Sequence, residues 1–132
     1  MGDIRDFTDL IVWRKAIELG KMVYRVTREF PKEEKFGLTA QLRRAGVSVA
    51  SNIAEGHARQ GKEFAHFLSI ARGSLAEVES QLWFAVEIGH LKQDAIIPIR
   101  ELASEIHRMS AALASKLCSK SSSRPSPLAP GP

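Results

Sequence analysis

Residues 61–89 read GKEFAHFLSIARGSLAEVESQLWFAVEIG, and the spacing of the large apolar side chains in this run decides the fold. Phe64, Leu68, Ala71, Leu75, Val78, Leu82 and Ala85 recur at alternating four- and three-residue steps. That places them on one face of a helix built to pack against other helices. Gly61 marks the turn before it, so a helix is predicted from about Lys62 to Gly89. A second stripe, Phe67, Ile70, Ser74, Glu77, Gln81, Phe84 and Ile88, has apolar ends and a polar middle.

Three further segments of similar length flank this one, separated by glycine and proline. Pro31 fits a helix start, with Glu33 and Glu34 favoured by the helix dipole, and the segment runs to about Arg59. Its core row is Leu38, Leu42, Ala45, Val49 and Ile53, and much of the rest is small: Gly46, Ser48, Ala50, Ala54, Gly56. Small side chains let a neighbouring backbone come close, so this helix is expected to be the most tightly packed. The first helix is expected to start after Thr8 as N-cap, with Asp9 at the positive end of the dipole. Two apolar rows run along it: Trp13, Ile17, Gly20, Tyr24 and Thr27, and beside them Val12, Leu19, Val26 and Phe30. The last helix opens near Asp94 or at Pro98 and carries Ile99, Leu102, Ile106, Met109, Leu113 and Leu117.

Short connections join antiparallel neighbours, so the fold class is all-α, an up-down-up-down four-helix bundle. Residues 1–8 form a lead-in and residues 9–118 the bundle. Residues 119–132, serine and proline with little apolar side chain, cannot offset the entropy of ordering and are expected to be a disordered tail.

A length of 132 residues suits one domain, and 44% apolar with 26% charged residues is ordinary for a globular chain. No run approaches the ~20 apolar residues that span a bilayer, and residues 1–7 have no apolar leader core. A cytoplasmic protein with no membrane partner is expected. Cys118 is the single cysteine, which excludes an intramolecular disulfide. The net charge of +4 includes Lys120 and Arg124 from the tail, so any polyanion must be met by a local patch.

Two Glu-x-x-His tetrads, Glu63 to His66 and Glu87 to His90, resemble half of a bundle metal site. Both lie on the third helix, ~36 Å apart at 1.5 Å per residue, and point away from its core row, so no metal or other cofactor is expected. No phosphate loop, zinc-protease or serine-hydrolase motif occurs. Glu55 and Glu77 are more simply structural than an acid and base pair, and no catalytic residue or enzymatic activity is expected.

The polar residues fall into two groups. Antiparallel pairing about Gly61 sets Glu77 level with Arg44 and Ser74 near Ser48, and pairing about the next turn adds His107 and Arg108. With Gln81 these form either a half-buried network fixing register or a solvated stripe. Asn52 and Glu55 are expected near Thr8 and Ile11, accepting hydrogen bonds from the start of the first helix. A basic stripe of Arg14, Lys21, Arg25 and Arg28, opposed by Glu18, and a second cluster of Arg43, Arg44, Arg59 and Lys62 are candidate phosphate contacts, the alternative being solvated salt bridges. No base-stacking aromatic is evident beside them in the sequence.

A four-helix bundle buries about one stripe per helix. Val12, Leu19, Val26 and Phe30 on the first helix, with Phe67, Ile70, Phe84 and Ile88 on the third, are therefore surplus. They are expected to form the interface of a homo-oligomer.

The tract Phe36-Gly37-Leu38-Thr39-Ala40-Gln41-Leu42-Arg43-Arg44-Ala45, then Ser48 and Ser51-Asn52-Ile53-Ala54-Glu55-Gly56, is the most distinctive in the chain. With Leu10, Val12-Trp13, Phe30-Pro31, Glu63-Phe64, Phe67-Leu68, Ala71-Arg72-Gly73-Ser74, Glu77 and Glu79, it resembles the 23S rRNA intervening-sequence proteins. These are four-helix bundles encoded within spacers of bacterial large-subunit ribosomal RNA genes. The resemblance spans about Phe7 to Leu117 and implies a ring-like homopentamer. A distantly similar group accompanies the reverse transcriptase of diversity-generating retroelements and contacts it and nucleic acid through basic surface. The reading is a non-enzymatic oligomeric module binding RNA or DNA. The alternative is a scaffold for a protein partner such as a reverse transcriptase.

Overall fold

Among residues 4–122, which the computed structural model describes with side chains through Ser119, four helices account for most of the chain. They are α1 (Ile11–Thr27), α2 (Leu38–Arg59), α3 (Gly61–Glu87) and α4 (Gln93–Ser122). α2 packs on α3, α3 on α4 and α1 on α2, and α1 closes the bundle on α4.

Capping at the N-terminal end differs from the expectation. A 3-10 turn, Phe7–Asp9, precedes α1, and its cap is Asp6, whose carboxylate accepts the Thr8 N–H at 2.8 Å. The Thr8 hydroxyl donates to the same oxygen and caps nothing itself. Asp9 reaches back to the Asp6 N–H at 3.4 Å, completing a capping box, and also accepts the Arg5 N–H at 2.8 Å. The Thr8 bonds hold the Asp6 carboxyl below its ordinary range.

Pro31 opens a second 3-10 turn, Lys32–Glu34, and α2 starts only at Leu38. The Glu34 carboxylate accepts the Leu38 N–H at 3.1 Å, so it caps a helix that the sequence alone suggests is already under way. Between α2 and α3, Gln60 and Gly61 both take positive φ, 67° and 58°, which allows the chain to reverse within two residues. Gly89, at φ 85°, ends α3, where the His90 N–H returns to the Ala85 carbonyl at 2.8 Å. Pro98 lies inside α4 close to its start, where the missing N–H costs one helical bond. α4 continues through Ser122, so Ser119 to Ser122 are helix and not tail, while the remainder of the expected tail lies outside the described residues.

The core is layered from all four helices. Leu19 and Val23, Leu42, Val49 and Ile53, Leu68, Leu75, Val78 and Leu82, and Ile96, Ile99 and Ile106 are fully buried. Each such side chain contributes about 1.5–3 kcal/mol relative to exposure. Close approach is concentrated on α2, as its small residues suggest. A Cβ on Gly46 would stand 3.5 Å from Val23, and one on Gly56 would stand 2.8 Å from Phe67 Cβ.

The two rows of α1 have exchanged roles relative to the sequence reading. Val12, Leu19 and Phe30 are buried in the protomer's own core, with Val26 packed against it, so they cannot serve an interface between copies. Ile17 and Tyr24, of the row expected inside, are exposed, and Trp13 is half-buried. Both rows repeat every seven residues. Compact aliphatics fill the interior, whereas Trp13 and Tyr24 have polar tips that favour the boundary. Thr27 alone of that row is buried, its hydroxyl donating to the Val23 carbonyl at 2.8 Å.

Candidate functional site

The displaced row of α1 does not stand alone on the surface. With Gly46, Val47, Ala50, Ser51 and Ala54 of α2 it lines a groove of about 670 Å³. The floor is apolar because α1 and α2 meet through glycine and alanine, leaving Trp13, Ile17 and Tyr24 as one wall. Phe7 closes one end, its ring edge-on to Trp13 at 5.1 Å. Lys21, Arg25 and Arg28 line the same groove.

The eight candidate phosphate contacts separate into groups. Arg14 is occupied, its Nε donating to the Thr8 carbonyl at 2.8 Å. Lys21 and Arg25 share Glu18 at 3.6 and 3.7 Å, exposed pairs worth at most about 1 kcal/mol each and open to exchange for a phosphate. Arg28 and Lys62 have no carboxylate within ion-pair distance among the described residues. Arg43 donates to the Thr27 hydroxyl at 2.9 Å and lies over the Tyr24 ring at 4.5 Å. Arg59 sits between Glu55 and Glu63 at 3.6 and 3.7 Å and covers Phe67 at 5.2 Å. Lys21, Arg25 and Arg28 therefore converge, and the Arg43, Arg44, Arg59 and Lys62 set does not form one patch. Aromatic side chains do adjoin the cations, contrary to the sequence reading, because packing of α1 on α2 brings Tyr24 and Trp13 to the basic rim.

A second groove, between α2 and α3, is polar. Gln41, Arg44, Ser48, Ser74, Glu77 and Gln81 line about 390 Å³. The Ser48 and Ser74 hydroxyls are 2.9 Å apart, and the Asn52 amide donates to the Ser48 carbonyl and hydroxyl at 2.8 and 2.9 Å. Asn52 therefore belongs to this seam and not to the start of α1. Glu55 faces Arg59, and His107 lines a separate groove with Arg72 and Glu79. The Gln81 Oε1 is buried without a donor. Of the expected interface row on α3, Phe67 is half-buried, while Ile70, Phe84 and Ile88 are exposed.

The Glu-x-x-His tetrads have other partners. Glu63 pairs with Arg59, and His66 packs edge-on to Phe67 at 5.6 Å. His90 is half-buried, not solvent-facing, bonded to Glu34 and tilted against Phe30. Among the described residues no three His, Cys, Asp or Glu side chains gather closely enough to hold a metal ion, and no helix is long and apolar enough to cross a membrane.

A family model described as 23S rRNA-intervening sequence protein matches residues 8–112. A solved structure of a protein of unknown function from the S23 ribosomal protein family of Bacteroides thetaiotaomicron superimposes with a TM-score of 0.69 at 20% identity. The match covers 79% of this chain and 98% of that one and establishes likeness of fold. None of the curated proteins compared matches the chain significantly.

Proposed function

The chain belongs to the 23S rRNA-intervening sequence protein family, and from that premise we propose that it is a non-enzymatic, homo-oligomeric binding module of the cytoplasm that contacts the phosphates of RNA or DNA. The convergence of Lys21, Arg25 and Arg28 along one groove, with Glu18 as the acid that pairs two of them, carries this reading. Phosphates would displace only weak surface ion pairs, and Arg28 has none to give up among the described residues. Assembly as a homopentamer would cover the exposed apolar side chains of α3, Ile70, Phe84 and Ile88, none of which lines the Lys21 groove, so that groove stays open to phosphates.

The apolar floor of the same groove favours a second reading, a scaffold whose partner is a protein such as a reverse transcriptase. Salt separates the two. Anisotropy titrations of the full chain against RNA and duplex DNA should show affinity falling linearly on a log-log salt plot. Replacing Lys21, Arg25 and Arg28 by Gln should lower that slope by about 1 for every phosphate no longer neutralised. Nucleic-acid binding that ignores both salt and these substitutions, or no binding at all, would leave the protein-partner reading in place.

A further inference from the structure

We infer that the groove between α3 and α4 binds a phosphate-type oxyanion, held by Arg72 and Arg100 with Ser104 and His107 beside them. It lies between different helices from the Lys21 groove and uses none of Lys21, Arg25 and Arg28, so it does not rest on the proposed function. The groove encloses about 370 Å³. Arg72 reaches it from α3, half-buried, with its Nε–H buried and lacking an acceptor. No carboxylate lies within ion-pair distance of its guanidinium among the described residues. A guanidinium has five donors and no acceptor, and with neither a hydrogen-bond nor an ion-pair partner among the described residues the outer N–H groups of Arg72 are left to meet an acceptor in the groove.

Arg100 supplies the second cation from α4. Its guanidinium is held over the Trp83 ring at 5.1 Å, while its Nε stands 3.9 Å from Glu79 Oε1, too long for a good charge-assisted bond. The fork is thus positioned but loosely engaged. Ser104 accepts from Arg108 Nη1 at 2.8 Å, which leaves the serine hydrogen free to donate. Glu79 is the one carboxylate lining the groove, so two guanidiniums leave a net positive site even with His107 neutral. Two planar forks, a hydroxyl and an imidazole match the several oxygens of a tetrahedral phosphate better than a single carboxylate. The oxygens could belong to a free phosphate ester or to a nucleic-acid backbone.

Calorimetric titration of the full chain with inorganic phosphate and with a nucleoside 5′-monophosphate, in chloride buffer, tests the inference. Binding is expected, with Arg72→Gln and Arg100→Gln each weakening it about tenfold or more. Lys116→Gln, at an exposed residue that lines neither groove, should leave it unchanged. Arg100 is exposed, so its variant decides the matter should the Arg72 variant fail to fold by circular dichroism. Displacement of bound phosphate by an RNA oligonucleotide lacking terminal phosphates would assign the oxygens to a backbone, and displacement by the monophosphate alone to a free ester. Absence of phosphate binding, or wild-type affinity in the Arg100 variant, would overturn the inference.

Discussion

His90 Nε2 lies 2.9 Å from Glu34 Oε2, joining the α3–α4 connection to the α1–α2 connection at one end of the bundle. The other carboxylate oxygen of Glu34 takes the Leu38 N–H, and the His90 ring leans on Phe30 with centroids 5.6 Å apart. One acid thus caps α2 and anchors a loop distant in sequence.

These contacts, the Leu38 N–H first and His90 second, hold the Glu34 carboxyl below its ordinary 4.5. A depressed carboxylate contributes stability that is fully present above the unfolded-state value and disappears as pH falls through the folded one. Glu34→Gln should therefore flatten the acid side of the stability profile below about pH 5, with little change in its shape above that. Denaturant melts across that range check it, and parallel profiles for the two proteins would show that Glu34 gains nothing from its partners.

Two glycines should respond to alanine with opposite signs. At Gly56 a Cβ would lie 2.9 Å from Phe64 Cδ1 and 3.2 Å from the Phe64 carbonyl oxygen, so Gly56→Ala forces α2 and α3 apart. Crowding of about 1–3 kcal/mol should outweigh the helix preference gained. At Gly73 nothing lies within 4 Å, so Gly73→Ala should stabilise by about 0.5–1 kcal/mol. Thermal melts of both read the signs directly.

The heptad of α3 and the small residues of α2 make the bundle legible, because large side chains at alternating four- and three-residue steps can be buried only in a helix. Counting about Gly61 sets Ser74 beside Ser48, and their hydroxyls are 2.9 Å apart. The rows of α1 are not distinguishable in the same way, since those begun by Val12 and Trp13 both repeat every seven residues and only three-dimensional packing selects Leu19 over Ile17. Asn52 escapes the pairing arithmetic for a related reason. A side chain that bonds within its own helix, here to Ser48, leaves no trace in the register between helices. Glu34 as cap of α2 is hidden because Pro31 reads equally well as a helix start or as the head of a 3-10 turn.

Substitution of each α1 row should separate buried positions from exposed ones. Leu19→Ala opens a cavity at a fully buried position and should cost about 2–5 kcal/mol. Ile17→Ala, at a side chain 38% exposed, should change protomer stability by about 0.5 kcal/mol or less. Chemical denaturation under dilute conditions distinguishes them, and equal losses would return Ile17 to the core.

Self-association is the property on which the proposed role depends most. Ile70, Phe84 and Ile88 on α3 are each more than a third exposed in the protomer and lie outside the Lys21 groove. Multi-angle light scattering on the purified chain at micromolar concentration should give five times the protomer mass of 14.6 kDa, reduced by Ile70→Ser and by Phe84→Ser. A dimer would retain association but remove the ring. A mass of 14.6 kDa throughout, unchanged by either substitution, would contradict self-association itself.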